Sequence, residues 1–460
     1  MLKTASETVQ EAALERRLGL FPAANLVIAS MIGAGIFTTS GLLLQELGDP
    51  VVMLLLWLVG GVLALCGALC YGALGAAMPR AGGEYVYLGE LYHPILGFLT
   101  GWVSFFVGFS APLAASSLGC AEYLGQAFPA LVEWGDPVLL KKLLAILIIV
   151  SLAAIHLRGV ELGALVQNWL TMGKVLLIVA LILAGFTLGQ GSLGNLGAGQ
   201  PLPPGVAGWK PMGLSLMWIM FAYSGWNASA YIGSEIRDPE RTLPRSLLVG
   251  TGLVMLLYLG LNLLFVFAVP PEEMSGVIAV GGLAASRLFG GSFEALLSAL
   301  IAFALLSAIS ALIVLGPRVY YAMARDGYFF RFAAQVHPVF RVPTWSILLQ
   351  CSLAVVMVAS GTFDQILTYM GFCLGIFPIV AVLGVFKLAW AQRRGLGVAA
   401  SPFRIPGHPL PAIVFAAGTG LTLILAYMER PVESTIALVT VALGVPAFFL
   451  FRRFGTRSVP

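Results

Sequence analysis

Long apolar stretches separated by short polar connections dominate the chain. About 20 apolar residues are enough for a helix to cross the hydrocarbon core of a bilayer, and we expect about twelve such spans. Their predicted boundaries are 20–46, 51–78, 94–128, 140–156, 162–188, 211–236, 244–268, 292–324, 343–360, 364–391, 409–428 and 432–451. The pattern predicts one all-α integral membrane domain and no soluble module.

Glycine interrupts two of these spans near their middle. Span 1 carries Gly33-Ala34-Gly35, and span 6 carries Gly225 between small and polar residues. Two breaks in corresponding spans indicate a transporter binding site, whereas either glycine motif alone is equally explained by close helix packing. The breaks lie five spans apart, so span 6 enters the membrane from the side opposite to span 1, as an inverted repeat requires.

The backbone at such breaks predicts what the site binds. The N–H groups at the start of a half-helix favour an anion such as a carboxylate. The carbonyls that a half-helix leaves free at its other end accept hydrogen bonds from an ammonium group. A zwitterionic α-amino acid therefore fits two facing breaks, and neither break contains a charged side chain.

Composition excludes a water-soluble protein. Hydrophobic residues make up 59% of the chain and charged residues 10%, against about 25% charged residues in a soluble domain. The net charge of +4 comes from basic residues spread singly between spans, so we expect no nucleic-acid partner. The cysteines form no CxxC pair and are interpreted as small core residues (Cys66, Cys70, Cys120, Cys351 and Cys373).

The basic residues predict the orientation of the chain. With the N-terminus in the cytoplasm, 19 of the 25 lysine and arginine residues fall on the cytoplasmic side and 5 on the other. The positive-inside rule then predicts that both termini are cytoplasmic. The histidines fall at the cytoplasmic ends of spans and are interpreted as interfacial, because their spacing is not that of metal ligands (His93, His156, His337 and His408). We expect neither a metal nor a cofactor.

Lys174 is the one basic residue that is assigned to neither side, because it falls deep inside a span. It lies about 12 residues from the cytoplasmic end of span 5, which is roughly 18 Å deep at the rise of an α-helix. An ionisable residue at such depth is a candidate functional group. The alternative is a structural lysine that hydrogen-bonds free carbonyls and has no coupling role.

Four ordered motifs resemble those of the amino acid–polyamine–organocation transporters, particularly the bacterial and L-type amino acid branches. They are Ile32-Gly33-Ala34-Gly35-Ile36-Phe37, Pro79-Arg80-Ala81-Gly82-Gly83-Glu84-Tyr85, Phe221-Ala222-Tyr223-Ser224-Gly225-Trp226-Asn227, and the loop after span 8 with Arg318, Met323-Ala324-Arg325-Asp326-Gly327 and His337-Pro338. The resemblance covers most of the chain and implies a LeuT-type fold. That fold has two inverted five-helix repeats at 20–190 and 211–391, additional helices at 409–451, and cytoplasmic segments at 1–19 and 452–460.

The resemblance also implies residue roles. The substrate carboxylate is expected on the N–H groups of Gly33, Ala34 and Gly35. The amino group is expected at the carbonyls of Met31, Phe221, Ala222 and Ser224. Phe221 is by the same pattern a candidate gate, and Trp226 and Glu235 are further candidates from their positions in span 6. For Glu235, a gating ion-pair network with Arg237, Arg241 and Arg245 and a plain interfacial salt bridge remain open.

By the same resemblance, the Lys174 ammonium takes the place of a sodium ion. Its expected neighbours are the break in span 1 and, on span 8, Ser307 and Ser310. The loop between spans 3 and 4 has no cysteine, so we expect no disulfide-linked ancillary subunit.

Together these features predict a secondary transporter of the inner (cytoplasmic) membrane. It is expected to move neutral L-amino acids by alternating access without sodium, through exchange or proton coupling. Neutral substrates are favoured because no Asp or Glu lies at the centre of a span. The alternative is a proton-coupled carrier of cationic amino acids or polyamines. A channel would need a polar pore or a ring of charge, and a membrane enzyme would need clustered catalytic side chains; neither pattern is visible in the sequence.

Overall fold

The computed structural model describes residues 15–200, 202–277, 280–360, 363–394 and 403–454. For residues 160, 292, 294, 363–374, 433 and 454 it describes the backbone alone. The predicted cytoplasmic segment 1–19 is therefore described only from Glu15, and the predicted tail 452–460 only to Phe454. The side chain of Cys373 lies outside the described residues.

The described chain is almost entirely helical. The α-helices are α1 Leu20–Met31, α2 Ala34–Leu47, α3 Pro50–Ala77, α4 Glu84–Leu91, α5 Pro94–Val103, α6 Ala111–Ala127, α7 Pro137–Leu157, α8 Val160–Leu188, α9 Val206–Ala222, α10 Ala228–Tyr231, α11 Pro239–Ala268, α12 Pro271–Met274, α13 Val280–Phe289, α14 Glu294–Arg325, α15 Thr344–Ser360, α16 Phe363–Arg393, α17 Leu410–Glu429 and α18 Pro431–Phe454. A π-helix joins α5 to α6 at Ser104–Ser110. Short 3-10 helices occupy Pro129–Leu131, Leu193–Gly197, Gly233–Glu235, Gly291–Phe293 and Arg331–Ala334. Within these ranges there is no β-strand, and two isolated bridges pair Leu18 with Ile236 and Ala81 with Ile232.

The helices confirm the helical membrane architecture. Ten segments of the described chain are long and apolar enough to cross a membrane. The two other predicted spans are span 6, which is divided between α9 and α10, and span 9, which is the 17-residue α15. The division of the bundle into two inverted five-helix repeats stays a prediction.

Both predicted interruptions are present as non-helical backbone. Span 1 consists of α1 and α2, which are separated by Ile32 and an extended Gly33. Span 6 leaves the helix after Ala222 and resumes it at Ala228. Gly225, within this second break, has φ +98°, a conformation that glycine adopts readily because it has no Cβ.

The two breaks pack directly against each other. A Cβ atom on Gly225 would lie 2.4 Å from Ser30 Oγ and 2.9 Å from the Ser30 carbonyl carbon. A Cβ atom on Gly35 would lie 2.8 Å from Cα of Ala222. The glycines therefore serve both purposes that the sequence left open, because they allow close packing and interrupt the helices at the same place.

Gly225→Ala tests this arrangement. The methyl group meets Ser30 backbone, and alanine at φ +98° is strained, so we expect a loss of about 1 to 3 kcal/mol and a lower thermal unfolding temperature in detergent. Gly252→Ala is the matched control, because Gly252 lies inside α11 with no atom within 4 Å of an added Cβ, and there alanine favours the helix. Equal unfolding temperatures for the two variants would contradict the packing described here.

Candidate functional site

A cavity of about 140 Å³ lies where the two breaks meet. Its wall contains every residue that the sequence nominated for substrate binding: Met31, Gly33, Ala34, Gly35, Phe221, Ala222 and Ser224. The π-helix contributes Ser104, Gly108 and Phe109 to the same wall. Because π-helical turns often mark functional sites, span 3 adds an independent sign that this cavity is functional.

The start of α2 provides the N–H groups on one side of the cavity. The first N–H groups of an α-helix have no partner within the helix, and no side-chain hydrogen bond caps α2 at Gly33. The Gly33 N–H itself donates to the Met31 carbonyl oxygen at 2.9 Å. Of the three N–H groups nominated for an anion, those of Ala34 and Gly35 are therefore better placed than that of Gly33.

Tyr258 bridges the carbonyls on the other side, and sequence reasoning missed it. Its hydroxyl lies 2.6 Å from the Met31 carbonyl oxygen and 2.9 Å from that of Ala222. A phenol carries one proton, so it donates to one of these carbonyls at a time and leaves the other free for a ligand. Tyr258 is a single tyrosine within the apolar span 7, and nothing in the spacing distinguishes it from a packing residue.

Lys174 reaches the first break from α8. Its side chain is fully buried, and Nζ donates to the carbonyl oxygens of Ala29 at 3.1 Å and Ile32 at 2.7 Å. The Ile32 carbonyl belongs to the non-helical segment. Lys174 Nζ therefore satisfies backbone acceptors at the break, a contact that fits both the sodium-replacing role and the structural alternative.

The nominated serines of span 8 have other partners. Ser307 Oγ lies within hydrogen-bond distance of Thr171 and Gln167, and Ser310 Oγ lies 2.7 Å from His156 Nε2. Among these contacts, neither serine bonds to Lys174. The interpretation of His156 as interfacial is wrong: it is 4% exposed, because the end of α7 packs inside the bundle against α14.

Glu235 forms an ion pair that the sequence did not identify. Its carboxylate accepts from Arg318 Nε at 2.7 Å and from Arg318 Nη2 at 3.0 Å, and the two side chains are 1% and 4% exposed. The predicted partners Arg237, Arg241 and Arg245 are not those of the ion pair, because the segment after α10 turns the carboxylate inward toward α14. The expected network with these three arginines is therefore wrong about the partner, and the expected interfacial salt bridge is wrong about the position, because the pair is buried.

The same region is hydrogen-bonded to the chain just before α1, at the end of the bundle where α1 begins (the N-terminal end). The N–H groups of Arg17 and Leu18 both donate to the Glu235 carbonyl oxygen at 2.9 Å, and Arg237 N–H donates to the Leu18 carbonyl at 2.8 Å. The Arg17 guanidinium also pairs with Glu161 at the start of α8. These bonds join the beginning of α1 to the segment that follows α10.

The two aromatic gate candidates differ in their surroundings. Phe221 is half-buried and lines the cavity. Trp226 also lines it but is buried, with its ring edge-on to Tyr71 at 4.8 Å and to Phe415 at 5.4 Å between centroids. Phe221 is therefore freer to move than Trp226.

The cavity wall also contains a carboxyl group that sequence reasoning missed. Glu84, at the start of α4, lines the cavity and is 5% exposed. Its Oε1 accepts from Asn227 Nδ2 at 2.7 Å and from the Tyr231 hydroxyl at 3.3 Å. The observation that no acid lies at the centre of a span is correct but incomplete, because this acid enters from the connection after span 2.

Within the described ranges, no cluster of three or more His, Cys, Asp or Glu could hold a metal ion.

Comparison with known proteins agrees with the motifs and the site. Residues 18–449 match the amino acid permease family. The serine/threonine exchanger SteT of Bacillus subtilis is 30% identical over 454 residues, covering 95% of this chain and 97% of the relative. The Asc-type amino acid transporter 1 of Mus musculus is 27% identical (97% of this chain, 82% of the relative), and the large neutral amino acids transporter small subunit 2 of Homo sapiens is 26% identical (95% and 81%). The chain belongs to the amino acid permease family of the amino acid–polyamine–organocation transporters.

Proposed function

We propose that this protein moves neutral L-amino acids across the cytoplasmic membrane by sodium-independent alternating access. The observation that carries the proposal is the cavity where two broken helices meet, with backbone N–H groups of α2 on one side and carbonyls of both breaks on the other. These groups match the two charged ends of an α-amino acid. The relatives support the same class, since their names describe a serine/threonine exchanger and carriers of neutral amino acids.

In the proposed binding mode, the carboxylate lies on the N–H groups of Ala34 and Gly35, with Gly33 nearby. The ammonium lies among the carbonyls of Met31, Phe221, Ala222 and Ser224, where it competes with Tyr258 for Met31 and Ala222. Phe221 closes over the ligand.

In the proposed topology, both termini are cytoplasmic, and no disulfide-linked ancillary subunit is required. Exchange is the favoured mode of transport, because SteT is named an exchanger.

Glu84 supports a second candidate, a carrier of cationic amino acids or polyamines. A carboxyl group in the cavity wall is the kind of partner that a second positive charge requires. Its Oε1 is already engaged by Asn227 and Tyr231, which favours the neutral class. The substrate panel below distinguishes the two candidates.

Transport by the purified protein in liposomes tests the function. We expect labelled L-serine to enter vesicles preloaded with unlabelled L-serine or L-threonine, and to do so equally well when choline replaces sodium. Arginine and putrescine are expected to compete poorly, because the broken helices offer no free charge for a second ammonium group. A requirement for sodium, or preferential uptake of arginine or putrescine, would overturn the proposal.

Lys174→Met tests whether the ammonium stands where sodium-coupled relatives bind their ion. Methionine keeps much of the stem but leaves the Ala29 and Ile32 carbonyls without their donor, at a cost of about 1 to 3 kcal/mol for each buried group. We expect exchange to be lost and the unfolding temperature to fall. Lys142→Met is the control, because Lys142 donates to the Ala359 carbonyl at an exposed position. Unchanged exchange by Lys174→Met would contradict the coupling role.

Glu235→Gln tests the proposed gate at the N-terminal end. The substitution leaves the Arg318 guanidinium buried without its counter-charge, a change that typically costs about 3 to 5 kcal/mol. We expect vesicles preloaded with labelled substrate to leak in the absence of external amino acid, because the end of the bundle no longer closes. Glu161→Gln removes an exposed pair with Arg17, which solvent screens, and should not leak. Equal leakage from both variants would count against a gate at Glu235.

A further inference from the structure

Two glycines bring Glu84 to the second break. Gly82 and Gly83 have φ +116° and +52°, and a Cβ atom on Gly83 would lie 2.7 Å from the Tyr231 ring. The Gly82 N–H donates to the Tyr231 carbonyl oxygen at 3.0 Å, and Ala81 pairs with Ile232. The connection after span 2 is thereby joined to α10, the short helix that follows the second break.

The partners of the Glu84 carboxyl group are all uncharged. Besides Asn227 and Tyr231, the Tyr71 hydroxyl of α3 lies against it. The titratable groups that face it are Tyr71 from α3, Tyr87 from α4 and Tyr231 from α10. In the part of the chain that the structure describes, no lysine, arginine or histidine bonds to it. An ionised Glu84 would therefore be a buried charge without a counter-charge, which is costly.

Burial raises the pKa of Glu84, because the loss of hydration outweighs the hydrogen bonds from its neutral donors, Asn227 and Tyr231. Glu84 also lines the substrate cavity. Any movement that opens this end of the cavity would admit water to the carboxyl group and remove the cost of its ionisation.

We propose that Glu84 is a proton-binding residue of the transport cycle, which holds a proton while the N-terminal end is closed and releases it to water when α10 moves away. The O–H bond of the carboxyl group breaks on opening and the proton passes to cavity water; closure reverses the step, so nothing is oxidised or reduced. The Asn227 and Tyr231 bonds couple the carboxyl group to the part of span 6 whose movement opens the cavity. The proposal rests on the exchange function, to which it adds a proton-linked step.

The pH dependence of exchange tests the step. Closure requires the protonated carboxyl, so we expect serine exchange by the unmodified protein to fall by up to about tenfold per pH unit above the pKa of Glu84. Glu84→Gln should show a flat profile, and Glu84→Asp should keep a pH-dependent one. Glu90→Gln is the control, because Glu90 lies on the same helix but pairs with Arg80 at the surface, and it should follow the unmodified protein. A Glu84→Gln profile that matches the unmodified protein would overturn the proposal.

Thermal unfolding in detergent gives a second readout that does not depend on transport. A carboxyl whose pKa is raised in the folded state binds its proton more tightly there, so the folded protein loses stability as pH rises above the ordinary value of 4.5. Glu84→Gln has no such group, and its unfolding temperature should rise relative to that of the unmodified protein as pH increases from 4.5. If the unfolding temperatures of Glu84→Gln and the unmodified protein changed in parallel with pH, the result would contradict the proton site. If the unfolding temperatures diverged with pH but the protein showed no exchange, the proposed function would be overturned and the proton-binding property of Glu84 would be supported.

Discussion

Backbone that leaves the helix inside a membrane must find partners, since hydrocarbon offers none. In this protein the partner of the first break is a buried lysine ammonium: Lys174 donates from α8 to the carbonyls of Ala29 and Ile32. From α11, the Tyr258 hydroxyl donates to the carbonyl of either Met31 or Ala222, one at a time. These two side chains stabilise the non-helical backbone at the breaks without filling the space between them. That space is the cavity.

The close approach of the breaks links the site to the buried ion pair of Glu235. Gly225 lies against Ser30 and Gly35 against Ala222, so one break cannot shift without the other. The segment after the second break continues through α10 to Glu235, which carries the buried ion pair to Arg318 and accepts the N–H groups that precede α1. Only the short helix α10 and the turn after it therefore separate the carbonyls at the breaks from the bonds of Glu235. Glu84 joins the same short helix from the side.

Much of this arrangement could be predicted because it depends on local sequence. The spans follow from apolar length, and both breaks follow from the pairing of Gly33 and Gly225 in spans five apart, as an inverted repeat requires. Lys174 was identifiable because a lone charge in a span is rare. By contrast, the partners of His156 and Glu235 depend on how α7, α14 and the segment after α10 pack, and no spacing along the chain encodes that. Tyr258 was hidden because a tyrosine in an apolar span is also an ordinary packing residue. Glu84 was hidden because it enters the cavity from a connection, through the conformations of two glycines.

The central claim is that the backbone of two broken helices recognises the two charged ends of an amino acid while Lys174 occupies the place of sodium. A structure of the protein with bound L-serine in sodium-free buffer tests it most directly. The account predicts the serine carboxylate on the N–H groups of Ala34 and Gly35, the ammonium among the carbonyls of the two breaks, and Lys174 still bonded to Ala29 and Ile32. Serine bound away from the breaks, or a sodium ion required beside Lys174, would contradict it.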